Sequence, residues 1–227
     1  MNGPPPRTAA PVRAVLFDLD GVLINSLPVM QLAFSAALDE IYPGERIAHD
    51  ALFTRYRRFL GMGFSEIMTR LDLSQEMRVP FRRHSLALAS YVRLYDGAIE
   101  LLDAVAAADL PMGIATGKEM DRTRDLLSRL GIADRFAAVL TSDTVAAPKP
   151  APEMVHRFAE TTGVAPRDIL MIGDAEADIR CGQAAGCRTA AATWGYCDHA
   201  VLAALGPDHV FASPRAAQAA LETLTVQ

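Results

Sequence analysis

Short apolar runs recur along the chain and set its rhythm. Ala14–Phe17, Met112–Ala115, Ala137–Leu140, Ile169–Ile172 and Arg188–Ala192 are each brief and nearly continuous in small or apolar residues. Between the later runs lie longer stretches with helical spacing, Met120–Leu130, Pro152–Thr162 and Ala175–Ala185. Strands that alternate with helices predict a parallel sheet, and unbroken apolar strands predict burial on both faces. The expected class is α/β, a doubly wound, Rossmann-like sheet.

One long segment breaks this rhythm. From about Pro28 to Leu94 the patterns are helical: Leu27–Leu38, Ala51–Leu60, Phe64–Leu71 and Met77–Leu94. No strand is evident there. The expected organisation is an all-helical cap, residues 28–95, inserted into a discontinuous core made of 13–27 and 96–227. Hinges fall near Asn25–Pro28 and Tyr95–Gly97. Residues 1–12, beginning MNGPPPRTAAP, read as a disordered Pro-rich tail.

Composition narrows the function. The 227 residues are 51% hydrophobic with a net charge of −5, enough for a sizeable core and unattractive to nucleic acid or an anionic membrane. No apolar run reaches the roughly 18 residues of a membrane span, and the opening lacks the apolar centre of a secretory leader. Cys181, Cys187 and Cys197 match no metal-binding spacing and suit reduced thiols. The expectation is a cytoplasmic protein, monomer or homodimer, with a small-molecule partner.

Four polar clusters stand where predicted strands end: Asp18-Leu-Asp20-Gly21, Ala115-Thr116-Gly117-Lys118, Pro148-Lys149-Pro150 and Gly173-Asp174-Ala-Glu-Ala-Asp178. Ligands of open parallel sheets bind outside the carboxyl ends of the strands. Singly, each cluster has a plain structural account: a turn, a helix cap, a solvated charge. Together they supply what phosphoryl transfer needs. Asp18 can attack phosphorus as a carboxylate. Asp20 can protonate the leaving oxygen and later deprotonate water. Lys149, the Thr116 hydroxyl and the Gly117 amide can meet phosphate oxygens. A hard cation such as Mg²⁺, held partly by Asp174, would make the acidic crowd tolerable, with Asp178 orienting the ligands.

DLDGV, TG, PKPAPE and GDAEAD resemble the four motifs of the haloacid dehalogenase superfamily, over Val12 to about Ala212. The resemblance implies Asp18 as nucleophile and Asp20 as general acid/base. It implies Mg²⁺ on Asp18, the Asp20 main-chain carbonyl and Asp174, with Asp178 supporting. Thr116, Gly117 and Lys149 would bind phosphate. Val22 replaces a common Thr and Gly117 a common Asn. The second acid, Asp20, points to phosphate esters rather than dehalogenation. The cap is similar to that of the phosphoglycolate phosphatase and β-phosphoglucomutase group. VLINSLPVMQLAF, PKPAPEMV and AATWGYCDHAVLAALGPDHVFASP further resemble phosphatases of antibiotic biosynthesis, among them the 3-amino-5-hydroxybenzoate type.

The expected activity is therefore Mg²⁺-dependent hydrolysis of a phosphomonoester, a sugar phosphate or phosphorylated glycosyl intermediate. Phosphoglycolate is the alternative substrate. A sugar phosphomutase is disfavoured because Met30 stands at that group's cap-hinge histidine, and a non-catalytic binding module because the acidic set is intact. Specificity is expected from the cap loop Gly61, Met62 and Phe64 with Arg58. Arg55, Arg82 and His84 are further candidates, and Trp194 and Tyr196 candidates for the crevice entrance.

Overall fold

The computed structural model describes residues 11–225. The chain starts with β1 (Ala14–Phe17) and a short β2 (Ile24–Asn25), then enters α1 (Leu27–Ile41), α2 (His49–Arg57), α3 (Phe64–Leu71) and α4 (Arg78–Ala87). It returns through β3 (Arg93–Leu94) to α5 (Ala98–Ala107), β4 (Met112–Thr116), α6 (Met120–Arg129) and β5 (Ala138–Thr141). Next come α7 (Glu153–Thr162), β6 (Ile169–Gly173), α8 (Glu176–Ala185) and β7 (Arg188–Ala192). The chain closes with α9 (His199–Ala204), β8 (His209–Phe211) and α10 (Pro214–Leu224).

Six strands form one sheet in the order β5-β4-β1-β6-β7-β8, and every pairing in it is parallel. Alternate residues of β1 serve opposite faces. Val15 and Phe17 join the layer carrying α5, α6 and α10, whereas Ala14 and Leu16 join the layer of α7 and α8. Both sets are fully buried, which explains why no polar residue interrupts the strand.

The chain runs outward on one side of β1 through β4 and β5, then on the other through β6, β7 and β8. β1 therefore marks the topological switch, where a crevice opens at the carboxyl ends. Phe17 lies opposite Ile114 on one side and Ile172 on the other. That register brings Asp18, Thr116 and Asp174 to the same edge.

Helices α1–α4 bury a separate apolar cluster of their own, with Phe34, Phe53, Tyr56 and Phe81 as its aromatic centre. The inserted segment is not wholly helical. Met77–Leu94 is not one helix: α4 ends at Ala87, a 3₁₀ turn covers Ala89–Tyr91, and Arg93–Leu94 pairs antiparallel with Asn25–Ile24. This two-stranded neck forms where the chain leaves and re-enters the core. The basic residues of the segment are mostly matched locally. Arg70 pairs with Glu66, Arg83 and His84 with Glu40, and Arg78 and Arg82 reach across to Glu119 and Asp121 at the start of α6.

Of the expected tail, residues 1–10 lie outside the described residues. Val12 does not behave as tail: it is buried, and its N–H donates to the Leu224 carbonyl at 2.8 Å. Two late helices have clear starts. The Asp198 carboxylate accepts from Ala200 N–H at 2.7 Å to begin α9, and the Ser213 hydroxyl accepts from Ala216 N–H at 3.1 Å, ahead of Pro214, to begin α10. All three cysteines are free. Among the described residues no helix is long and apolar enough to cross a membrane.

Candidate active site

The loop after β1 folds tightly. Asp18 N–H donates to the Ile172 carbonyl at 2.9 Å, continuing the sheet by one residue. Leu23 and Ile24 N–H both donate to the Leu19 carbonyl at 3.0 Å, and Gly21, at φ +86°, closes the turn. A side chain at Gly21 is excluded as well: a Cβ there would stand 2.0 Å from Asp174 Oδ2. Gly195 approaches Asp174 from the other side, where a Cβ would lie 2.3 Å from the same oxygen. The Asp174 carboxylate is thus seated against two bare backbones.

Lys149 is wholly buried and its ammonium has three acceptors: Asp18 Oδ1 at 2.7 Å, Asp178 Oδ1 at 2.6 Å and the Ala115 carbonyl at 2.8 Å. Burial works to lower its pKa, but the Asp178 and Asp18 carboxylates outweigh that and hold it above the ordinary lysine range. Asp178 is fully engaged, its second oxygen accepting from Ala175 N–H at 2.9 Å at the start of α8.

Asp18 is pushed up to about 7. Burial is the main cause, Lys149 opposes it, and the Asp178 and Asp20 charges add to it. Asp174 is raised well above the carboxylate range, by burial first and then by Asp18 and Asp178. Its polar contact is Tyr196 N–H at 2.6 Å. One carboxylate oxygen from each of Asp18, Asp174 and Asp178 lies within 4.8 Å of the others. Buried, oxygen-only and short of positive charge, this set fits a hard divalent cation such as Mg²⁺. Asp18 and Asp174 are the ligands to expect, because both oxygens of Asp178 are taken, by Lys149 and Ala175 N–H, whereas Lys149 engages only one oxygen of Asp18.

Asp20 points elsewhere. Its Oδ2 lies 3.1 Å from Lys118 Nζ and its Oδ1 accepts from the Ser26 hydroxyl. Tyr196 OH braces the same corner, accepting from Ser26 N–H at 2.7 Å and Leu27 N–H at 3.2 Å. Burial lowers the Lys118 ammonium, and the Asp20 charge only partly restores it. Composition of the TGK cluster hinted at Lys118, but nothing in the sequence placed it on Asp20.

A cavity of about 40 Å³ lies between Asp18 and the helical insertion. Asp18, Asp20, Thr116, Gly117, Lys118 and Arg122 form its core side. Met30, Tyr56, Phe81 and the loop Leu60–Phe64 form the other wall. Thr116 is buried there and its hydroxyl accepts from Lys118 N–H at 3.2 Å. Gly61, Met62 and Phe64 line the cavity, with Phe64 also stacked on Phe81 at 4.8 Å. Gly117 is where this loop touches down, since a Cβ there would be 2.3 Å from the Met62 carbonyl oxygen.

Five candidate residues do not reach the cavity. Arg58 is exposed and lines an outer groove with Arg57, Glu176 and Asp198, away from the cavity. Arg55 is likewise exposed and absent from the cavity wall. Arg82 and His84 are taken by Asp121 and Glu40. Trp194 is a packing residue whose indole N–H donates to the Val22 carbonyl at 3.0 Å. Arg122 was missed: it lies in the first turn of α6, and only the tertiary structure brings it to the cavity beside Lys118, which precedes the helix.

A parallel sheet whose central strand ends on a lysine-braced carboxylate, with a second acid two residues on, has the groups that phosphoryl transfer uses. The chain belongs to the haloacid dehalogenase-like hydrolase family, whose profile matches residues 15–192. It is a phosphoric monoester hydrolase of that family. It is 34% identical over 212 residues to the phosphoglycolate phosphatase of Rhodospirillum rubrum, covering 88% of this chain and 86% of the relative. It is 32% identical over 191 residues to the N-acetylmuramic acid 6-phosphate phosphatase of Pseudomonas aeruginosa, covering 82% and 83%. The fold matches the crystal structure of a hydrolase from Pseudomonas syringae with a TM-score of 0.82, covering 94% of this chain and all of that one at 23% identity.

Proposed function

We propose that the chain hydrolyses a small phosphorylated carboxylic acid, phosphoglycolate foremost, through a covalent phosphate on Asp18. The observation that carries the chemistry is Lys149, wholly buried and holding Asp18 at the carboxyl end of the central strand. Asp18 attacks phosphorus, the ester P–O bond breaks, and the leaving alkoxide takes a proton from Asp20. Asp20 then accepts a proton from the water that attacks the phosphorus of the acyl phosphate, releasing inorganic phosphate and restoring Asp18. Thr116 and the Gly117 amide donate to phosphoryl oxygens, and Lys149 keeps the Asp18 carboxylate oriented. Mg²⁺, held by Asp18, Asp174 and the Asp20 main-chain carbonyl, would offset the charge gathered by substrate and carboxylates.

The substrate class rests on size and on kinship. The cavity beside Asp18 is small, about 40 Å³, which favours a compact phosphomonoester. Phosphoglycolate is the substrate that recurs in the relatives' names, beside a pyrophosphatase and a phosphatase of a sugar acid, N-acetylmuramic acid 6-phosphate. A sugar phosphate or phosphosugar of antibiotic biosynthesis is the second reading, favoured by the apolar surface that Met62 and Phe64 turn to the cavity. Three free cysteines suit a reducing, cytoplasmic setting.

The test is turnover of 4-nitrophenyl phosphate and phosphoglycolate with Mg²⁺, and acid-quench trapping of labelled phosphoenzyme. Wild type should turn over both and carry an acyl phosphate cleaved by hydroxylamine; Asp18→Asn should do neither while melting cooperatively. Comparable turnover by Asp18→Asn would end the assignment. A large preference for hexose phosphates over phosphoglycolate would favour the second reading.

A further inference from the structure

A second, smaller cavity of about 20 Å³ adjoins the first, and the two share Met30, Lys118 and Arg122 as walls. Arg122 is only 8% exposed. Among the described residues no carboxylate or carbonyl accepts from its guanidinium; its recorded side-chain contact is the face of Phe81, 4.9 Å from the ring centroid. Deeper in the second cavity stands Ser85, whose buried hydroxyl has no hydrogen-bond partner. Buried polar groups left unpaired are destabilising, and each asks for an explanation. Here a buried, unpaired hydroxyl from a cap helix and a guanidinium stacked only on an aromatic ring, from a core helix, line one cavity. Lys118, already paired with Asp20, is a second cation beside them, and Asp125, the one acid lining the second cavity, is matched by Arg129 at 2.7 Å.

Donors without acceptors, gathered beside a phosphate site, suit a second anionic group. A planar guanidinium suits a carboxylate, which it can bind through two parallel hydrogen bonds. On the cap side the wall is mostly apolar, Met30, Leu60, Phe64, Ile67 and Phe81, so Tyr56 and Ser85 are the cap's polar groups facing these cavities. We propose that Arg122, with the Ser85 hydroxyl, receives the substrate's carboxylate at the junction of the two cavities and is the residue that sets specificity. This rests on the reading above that Asp18 dephosphorylates a phosphomonoester. Substrate binding then bridges core and cap, because Arg122 lies on α6 and Ser85 on α4.

The experiment compares kcat/KM for phosphoglycolate with that for its neutral counterpart, 2-hydroxyethyl phosphate, with 4-nitrophenyl phosphate as a reference for the chemistry. Wild type should favour phosphoglycolate. Arg122→Met should lower the phosphoglycolate to hydroxyethyl phosphate ratio on the order of a hundredfold, the scale of hydrogen bonds to a charged group. Ser85→Ala should lower it about fivefold. Arg122→Lys should fall between, having charge without the planar fork. If Arg122→Met fails to fold, the lysine and Ser85 variants decide. An unchanged ratio in the variants, with both substrates falling together, would overturn the proposal and leave Arg122 a packing partner of Phe81. A wild type that prefers the neutral ester would overturn it too, with the phosphatase reading intact. A wild type inert toward phosphoglycolate, hydroxyethyl phosphate and 4-nitrophenyl phosphate alike would instead refute the function itself.

Discussion

Replacing Gly117 by alanine separates the closure of the site from the stability of the fold. Gly117 keeps a backbone conformation open to any L-residue, as its φ lies outside the left-handed region. What forbids a side chain is space: the Cβ would stand 2.3 Å from the Met62 carbonyl oxygen and 2.7 Å from that of Gly61. Ordinary contact requires more than 3 Å, so the cap loop must withdraw by about 1 Å; displacements of that order can reduce turnover roughly a hundredfold. The alanine retains the amide that faces phosphate. By restricting the unfolded chain it adds about 0.4–1 kcal/mol wherever the loop yields without further strain. The expectation is a kcat/KM on phosphoglycolate lowered ten- to a hundredfold, with a urea midpoint equal to or above wild type. Steady-state kinetics and equilibrium unfolding in one buffer check both halves. Full activity in Gly117→Ala would refute the idea that Gly61–Met62 must rest on this residue for turnover. A loss of stability matching the loss of activity would show instead that the contact holds the fold.

Lys149→Met should destabilise by about 3–5 kcal/mol in metal-free buffer, because Asp18 and Asp178 are left buried without their cation, and turnover should be abolished; an unfolding midpoint equal to wild type would contradict this. Chelation should stop activity, Mg²⁺ should restore it and Ca²⁺ should not, since Ca²⁺ takes more ligands at longer distances; full turnover in excess chelator would remove the metal from the scheme. Glu153 accepts from Ala147 N–H at 2.7 Å and Ala146 N–H at 3.1 Å, which holds its carboxyl below the usual 4.5. Its contribution is therefore complete above pH 4.5 and fades as pH falls through its lower folded value. The stability gap between wild type and Glu153→Gln should be flat near neutrality and close in acid, and a gap independent of pH would exclude this source.

Much of the chemistry was legible along the chain because it is local. A strand of continuous apolar residues that runs into Asp-x-Asp-Gly marks where the carboxylates leave the sheet, and β1, β6 and β7 begin where the pattern puts them. Phe64–Leu71 was readable to the residue, because one apolar stripe and a preceding glycine suffice to mark it. Other features depended on partners far along the chain. Met77–Leu94 keeps helical spacing throughout, yet it breaks after Ala87 because Arg93 and Leu94 find Asn25 and Ile24 to pair with. Arg58 and Arg82 look alike in sequence. One faces an outer groove, and the other is claimed by Asp121, a residue of the core. Periodicity reports which face of an element is buried and says nothing of what faces it. Only the docking of α4 against α6 leaves the Arg122 guanidinium and the Ser85 hydroxyl together without acceptors. That docking is decided by side-chain packing between segments that the chain itself keeps apart.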